Sequence, residues 1–205
     1  MSKLYIVGVG PGSKDYLTLA SKKVVESSDM VIGSRRALDL FETPNEIELK
    51  AQNMKEMIEL AVSMVGEGKI VSLLSTGDPG FSGILKPILE LKKNIGIEVI
   101  PGISSVQLCA AKLKIPWDEA NLITMHGKGI SMDILDIIDN GKPTIILPNF
   151  KPAELAKFLI ENSVSPEREV AICERLSYGD EKVIKTSLKS ILGMEFSYMC
   201  VMVVY

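Results

Sequence analysis

The 205-residue chain has one histidine and three cysteines. Cys109, Cys173 and Cys200 lie far apart with no CxxC pair, which supports neither a disulfide framework nor a zinc ribbon. With His126 as the only imidazole, sites needing two or three histidine ligands are excluded, and no metal site is expected. Ser-His-Asp chemistry would have to run through that one residue. No apolar run approaches the roughly 18 residues of a membrane span, so no membrane association is expected. The opening Ser2-Lys3-Leu4-Tyr5-Ile6 lacks a signal-peptide layout, and the expected location is the cytoplasm. Neither charge dominates, with 23 Lys and Arg against 26 Asp and Glu for a net −3. That balance, without a clustered basic footprint, argues against nucleic acid as a partner.

What is present is the composition of an ordinary globular protein, 46% hydrophobic and 24% charged. At about 150 residues per domain, the length allows one large domain or two small ones. Short β-branched runs alternate with helical spacing. Strands are predicted at 3–9, 29–32, 46–49, 69–74 and 97–100, and helices at 17–27, 34–41, 53–65, 84–93 and 105–113. Such alternation predicts a parallel sheet, because a crossover helix must return the chain to the same edge. After Pro116 the pattern restarts, with strands at 121–125, 144–147 and 169–173 and helices at 131–138 and 152–161. It ends in segments at 182–186, 188–192 and 198–205, spaced closely enough for antiparallel pairing. The expected fold is therefore α/β, with an open, mainly parallel sheet in residues 1–115 and a mixed sheet in 116–205.

Three loops follow predicted strands of the first half, where open α/β sheets place their ligands. Gly8-Val9-Gly10-Pro11-Gly12-Ser13 has part of a GxGxxG fingerprint, but Ser13 stands where the third glycine belongs and Pro11 removes an amide a phosphate could use. A nicotinamide cofactor is not expected; a plain glycine turn is the alternative reading. Ser75-Thr76-Gly77-Asp78-Pro79-Gly80-Phe81-Ser82-Gly83 is no Walker loop, and its single carboxylate suits hydroxyl or amine groups. Asp78 could equally close an Asx-type turn on its own backbone. Pro101-Gly102-Ile103-Ser104-Ser105 opens a helix with Ser104 or Ser105 as its N-cap.

In this order and spacing, the GxGPG, GDP and PGxSS elements resemble the tetrapyrrole methylase family, the S-adenosylmethionine-dependent methyltransferases of the cobalamin and sirohaem pathways. Leu17-Thr18, Ala20 and Thr124-Met125-His126-Gly127 extend the resemblance. Gly33-Ser34-Arg35-Arg36, Gly77-Asp78-Pro79-Gly80-Phe81 and the segment from Glu174 to Lys182 look most like the branch methylating C5 of precorrin-7 or cobalt-precorrin-7, in its stand-alone form. The alternatives are a family member with another acceptor (a different precorrin carbon or uroporphyrinogen) or a non-catalytic S-adenosylmethionine-binding module.

The resemblance implies a cofactor, S-adenosylmethionine, in a cleft between two domains, at positions matching Pro11, Asp78, Phe81, Ser104 and Ser105, with Leu147, Pro148 and Cys173 from the second domain. It also implies a small-molecule tetrapyrrole substrate, a homodimer, and a separate C15-methylating decarboxylase as a partner. Methyl transfer needs alignment rather than a nucleophile, so no catalytic residue is assigned; His126, Glu174 and Tyr178 are the candidates. A carboxylate-rich substrate calls for local cations, for which Arg35, Arg36, His126, Lys128 and Arg175 are the candidates. The bland alternatives are a solvated helix start at Arg35-Arg36, a structural hydrogen bond at His126, and a bracing ion pair of Glu174 with Arg175.

Overall fold

Five β-branched segments pair side by side in the first part of the chain, β1 (Lys3–Gly8), β2 (Met30–Gly33), β3 (Glu46–Glu48), β4 (Ile70–Ser75) and β5 (Ile97–Ile100). The computed structural model describes residues 2–50, 53–91, 95–149 and 151–205. All pairings in this sheet are parallel, in the order β3-β2-β4-β1-β5. Helices α1 (Leu19–Glu26), α2 (Arg35–Leu38), α3 (Met54–Gly66) and α4 (Leu85–Glu90) make the crossovers. Alternation along the strands sends side chains to two apolar layers. Leu4, Ile6, Ile32, Val71 and Leu73 pack with α3 residues Ile58 and Ala61. Val7, Val31 and Leu74 pack with Val25 of α1 and Leu38 of α2. A central strand buried on both faces has to satisfy any polar side chain it carries, and Ser72 of β4 does so against Ser28 Oγ at 2.7 Å.

The second sheet is mixed, as its closely spaced final strands imply. It comprises β6 (Asn121–Thr124), β7 (Thr144–Leu147), β8 (Glu169–Glu174), β9 (Lys182–Ser187) and β10 (Cys200–Val204), ordered β6-β7-β10-β8-β9. β6 and β7 are parallel; β10 runs antiparallel to β7 and β8, and β9 antiparallel to β8. It follows that β6, β7 and β8 all point the same way. Helices α6 (Asp133–Ile138), α7 (Pro152–Glu161) and α8 (Leu188–Ile191) cover one apolar layer, with Ile138, Leu155, Leu159 and Leu188 fully buried. Helix α5 (Ser105–Leu113) packs on β7 and β10.

The chain divides after Ser104 into two compact units. The expected boundary at 115/116 lies one helix later: α5 belongs with the sheet it packs on. The expected end of the 84–93 helix, Lys92 and Lys93, lies outside the described residues. No helix among the described residues is long and apolar enough to cross a membrane.

Candidate functional site

In the first unit, β1 lies between β4 and β5 and all three are parallel, so the loops leaving Gly8, Ser75 and Ile100 emerge at one edge, side by side. They are joined at main-chain level. Gly10 and Gly77 exchange hydrogen bonds, Gly77 N to Gly10 O at 2.8 Å and Gly10 N to Gly77 O at 3.3 Å, both with φ near +70°. Such a φ favours glycine. Gly8 and Gly102 meet so closely that a Cβ on Gly8 would stand 2.4 Å from Gly102 N, and one on Gly102 2.3 Å from Gly77 O. Ser21 Oγ, fully buried on α1, donates to Gly8 O at 2.8 Å and fixes the first loop from below. The Asp78 carboxylate accepts from Gly80 N at 2.8 Å and from Gly102 N at 3.2 Å. The Asx-type turn is therefore present, and the same side chain reaches the third loop.

Pro11 is buried, Phe81 half-buried, and Ser104 buried immediately before α5, whose first residue is Ser105. The structure thus gathers the first-unit cofactor candidates around one set of loops. These loops offer carbonyls, serine hydroxyls and a single carboxylate, with no lysine or arginine. The amides of Gly10, Gly77, Gly80 and Gly102 are already engaged with one another or with Asp78. A phosphate would find these four amides taken and no lysine or arginine within the loops. A cationic or neutral ligand with hydroxyl and amino groups fits the donor set, as the S-adenosylmethionine sulfonium would.

The second unit also collects its candidates at one edge. Since β6, β7 and β8 run alike, their C-terminal ends lie together, carrying His126 and Lys128 after β6, Leu147 and Pro148 at the end of β7, and Glu174 with Arg175 at the end of β8. His126 and Lys128 are exposed on a turn closed by Lys128 N to Met125 O at 2.9 Å. Desolvation lowers His126 from the ordinary imidazole value, which favours its neutral form.

Other candidates are already committed. Cys173 is fully buried, its strand is paired on both sides, and its thiol lies 3.2 Å from Cys109 Sγ. Glu174, 7% exposed, accepts Ser197 N at 2.5 Å rather than pairing with Arg175. Arg175 holds Asp180 at 2.6 Å, its guanidinium 4.8 Å from the Tyr178 ring centre. Arg35 contacts three carboxylates, Glu46 at 2.7 Å, Asp39 at 2.8 Å and Glu48 at 3.7 Å, bracing α2 against edge strand β3.

Sequence reasoning had no signal for Glu181, which accepts Ser177 N at 2.8 Å and pairs with Lys112 of α5 at 2.5 Å. It braces a turn in which Arg175 and Ser177 both take positive φ, 46° and 73°. Such conformations persist where surrounding contacts over-determine them. The Ser177 and Tyr178 hydroxyls are buried there without a hydrogen-bond partner.

Two α/β units, one parallel and one mixed, each presenting its candidate loops at a strand edge, define a two-domain α/β architecture shared with known methylases. The precorrin-6Y methylase of Archaeoglobus fulgidus superposes with a TM-score of 0.78 at 23% identity, over 99% of this chain and 97% of that one. The uroporphyrin-III C-methyltransferase of Thermus thermophilus, solved in complex with S-adenosylhomocysteine, gives 0.80 at 21% identity, over 98% and 91%. These likenesses concern the fold. The sequence carries the assignment further, for the family model of tetrapyrrole (corrin/porphyrin) methylases matches residues 3–192. The chain belongs to that family. A probable cobalt-precorrin-7 C(5)-methyltransferase of Methanocaldococcus jannaschii is 45% identical over 98% of this chain and 96% of its own length. A cobalt-precorrin-4 C(11)-methyltransferase from the same organism is 32% identical over 92% and 80%.

Proposed function

We propose that this protein is an S-adenosylmethionine-dependent C-methyltransferase that methylates C5 of cobalt-precorrin-7, giving cobalt-precorrin-8, in cobalamin biosynthesis. The observation that carries the reading is the 45% identity, nearly end to end, to the relative named for that reaction, against 32% to the one named for C11. The loop chemistry supports the same cofactor independently.

The bound cofactor supplies a methyl group on a sulfonium sulfur for in-line transfer to carbon. What the chain contributes is placement. The loops around Pro11, Asp78, Phe81, Ser104 and Ser105 hold the cofactor. Cys173 acts from the interior, fixing β8 against α5. Orientation of two reacting carbons accounts for much of the barrier in such a displacement, so rigidly joined loops are the main catalytic device.

A proton must leave the ring later, and of the three catalytic candidates His126 is suited to accept it, being exposed at the strand edge with desolvation favouring its neutral form. Glu174 is occupied by Ser197 N, and Tyr178 lies under the Arg175 guanidinium. Substrate carboxylates meet Lys128 after β6, where His126 can donate a ring N–H. Arg35 and Arg175 act chiefly as braces, because their guanidinium groups already hold carboxylates. In this reading the protein works in the cytoplasm as a homodimer, with a separate C15-methylating decarboxylase as its partner.

Calorimetry with S-adenosylhomocysteine tests the cofactor assignment, with saturable one-site binding expected. No binding heat at millimolar ligand would end the proposal.

A further inference from the structure

We propose that Asp78 is a positioning residue, whose carboxylate sets the third loop through the Gly102 amide and governs cofactor affinity through that loop rather than by touching the cofactor. The inference rests on the cofactor reading above. It starts from how the loops are joined. The hydrogen bonds between the first and second loops, Gly10 with Gly77, are main chain to main chain and indifferent to side-chain identity. The bond between the second and third loops comes from a side chain: Asp78 Oδ2 accepts Gly102 N at 3.2 Å, while Oδ1 accepts Gly80 N at 2.8 Å. One oxygen closes the turn of its own loop and the other holds the neighbouring loop.

Gly102 is the residue for which this matters most. It touches both other loops, with no room for a Cβ against Gly77 O or Gly8 C, and two residues later the chain reaches Ser104 and the start of α5. Its amide fixes where that segment stands. Gly77 also approaches the segment directly, a Cβ there standing 3.8 Å from Ser104 Cα. A join at Gly102 therefore sets the position of Ser104 relative to the second loop.

The chemistry separates this role from direct contact. A carboxylate presents an acceptor to each amide, whereas asparagine presents one acceptor and one donor group. In Asp78→Asn the amide NH2 must face either the exposed Gly80 N–H or the part-buried Gly102 N–H, donor against donor, so one of the two joins is lost. A ribose hydroxyl both donates and accepts, and would be served by either side chain.

The test is calorimetry of the wild type, Asp78→Ala and Asp78→Asn with S-adenosylhomocysteine and its 2′-deoxy and 3′-deoxy analogues, with hydrogen exchange followed across residues 101–105. Asp78→Ala should lose about tenfold in affinity, by the same factor for all three ligands, with faster exchange at Gly102, and in Asp78→Asn affinity should fall in step with any rise in exchange at Gly102. Asp78→Asn is nearly isosteric and keeps the test open should Asp78→Ala not fold. Wild-type affinity in Asp78→Ala, or wild-type affinity together with fast exchange at Gly102 in Asp78→Asn, would overturn the positioning role. So would a loss that vanishes for one deoxy analogue, or exchange at Gly102 that stays slow in Asp78→Ala. Failure of the wild type itself to bind S-adenosylhomocysteine is a different result, which would overturn the cofactor reading and this inference with it.

Discussion

Gly102→Ala is the most direct probe of the joined loops. The added Cβ would stand 2.3 Å from Gly77 O, 2.6 Å from Gly8 C and 2.8 Å from Gly8 Cα, all main-chain atoms that cannot rotate away. Ordinary contact begins at 3.4 Å, so the third loop must retreat by about 1 Å. A retreat of that size breaks the 3.2 Å bond from Gly102 N to Asp78. Overpacking at a close contact costs about 1–3 kcal/mol and an abandoned part-buried hydrogen bond to a carboxylate about 1–3 kcal/mol more. Since relaxation relieves part of each, about 2–4 kcal/mol is expected, or a Tm lower by roughly 10 °C. Cofactor affinity should fall at least tenfold, because a displacement of about 1 Å at Gly102 carries the Ser104 segment out of register with the other two loops. Gly66→Ala supplies the control. Gly66 is the last residue of α3 with nothing within 4 Å of a Cβ, so alanine should be neutral or stabilising by up to about 1 kcal/mol. Thermal unfolding and calorimetry with S-adenosylhomocysteine read both variants. If Gly102→Ala matched Gly66→Ala in both measurements, the loops would not be packed as described.

Two further outcomes follow from the second unit. Desolvation pushes the Glu181 carboxyl up, but hydrogen bonds from Lys112 and Ser177 N outweigh it and hold it below the usual range. A depressed carboxylate contributes stability in full above its unfolded value, about 4.3, and loses it as pH falls through the folded value. The urea midpoint of Glu181→Gln should therefore lie below wild type at pH 7 and converge with it toward pH 3; an equal gap at both would place the effect elsewhere. The three cysteines are buried, and burial pushes Cys200 up to about 12. At pH 8 an aromatic disulfide reagent should find no thiol in the native protein and three after unfolding; native reactivity at any of them would mean that the interior opens.

Strand and helix alternation was legible because parallel strands buried on both faces are written as β-branched runs, as in Ile70 to Leu74. Ends were less legible. Helix α2 was expected over 34–41 but spans Arg35–Leu38, because the turn after it continues through i→i+3 bonds from Leu40 and Phe41 that no residue pattern announces. Periodicity showed that α5 has a buried face but not which sheet covers it, so the boundary fell one helix late. The side-by-side loops could be expected from parallel topology, whereas the fate of individual charges could not. Glu174 finds its partner 23 residues away at Ser197, and Arg35 finds Glu46 across a crossover. Spacing rules for charges extend one helical turn and do not reach such pairs.

The central claim is the position of the transferred methyl group. Cobalt-precorrin-7 incubated anaerobically with the protein and S-adenosylmethionine carrying a carbon-13 methyl group, then analysed by carbon-13 NMR, should yield a product with one new labelled methyl, on C5. A labelled methyl on any other ring carbon would contradict the assigned reaction, and an unlabelled substrate recovered intact would contradict catalysis itself.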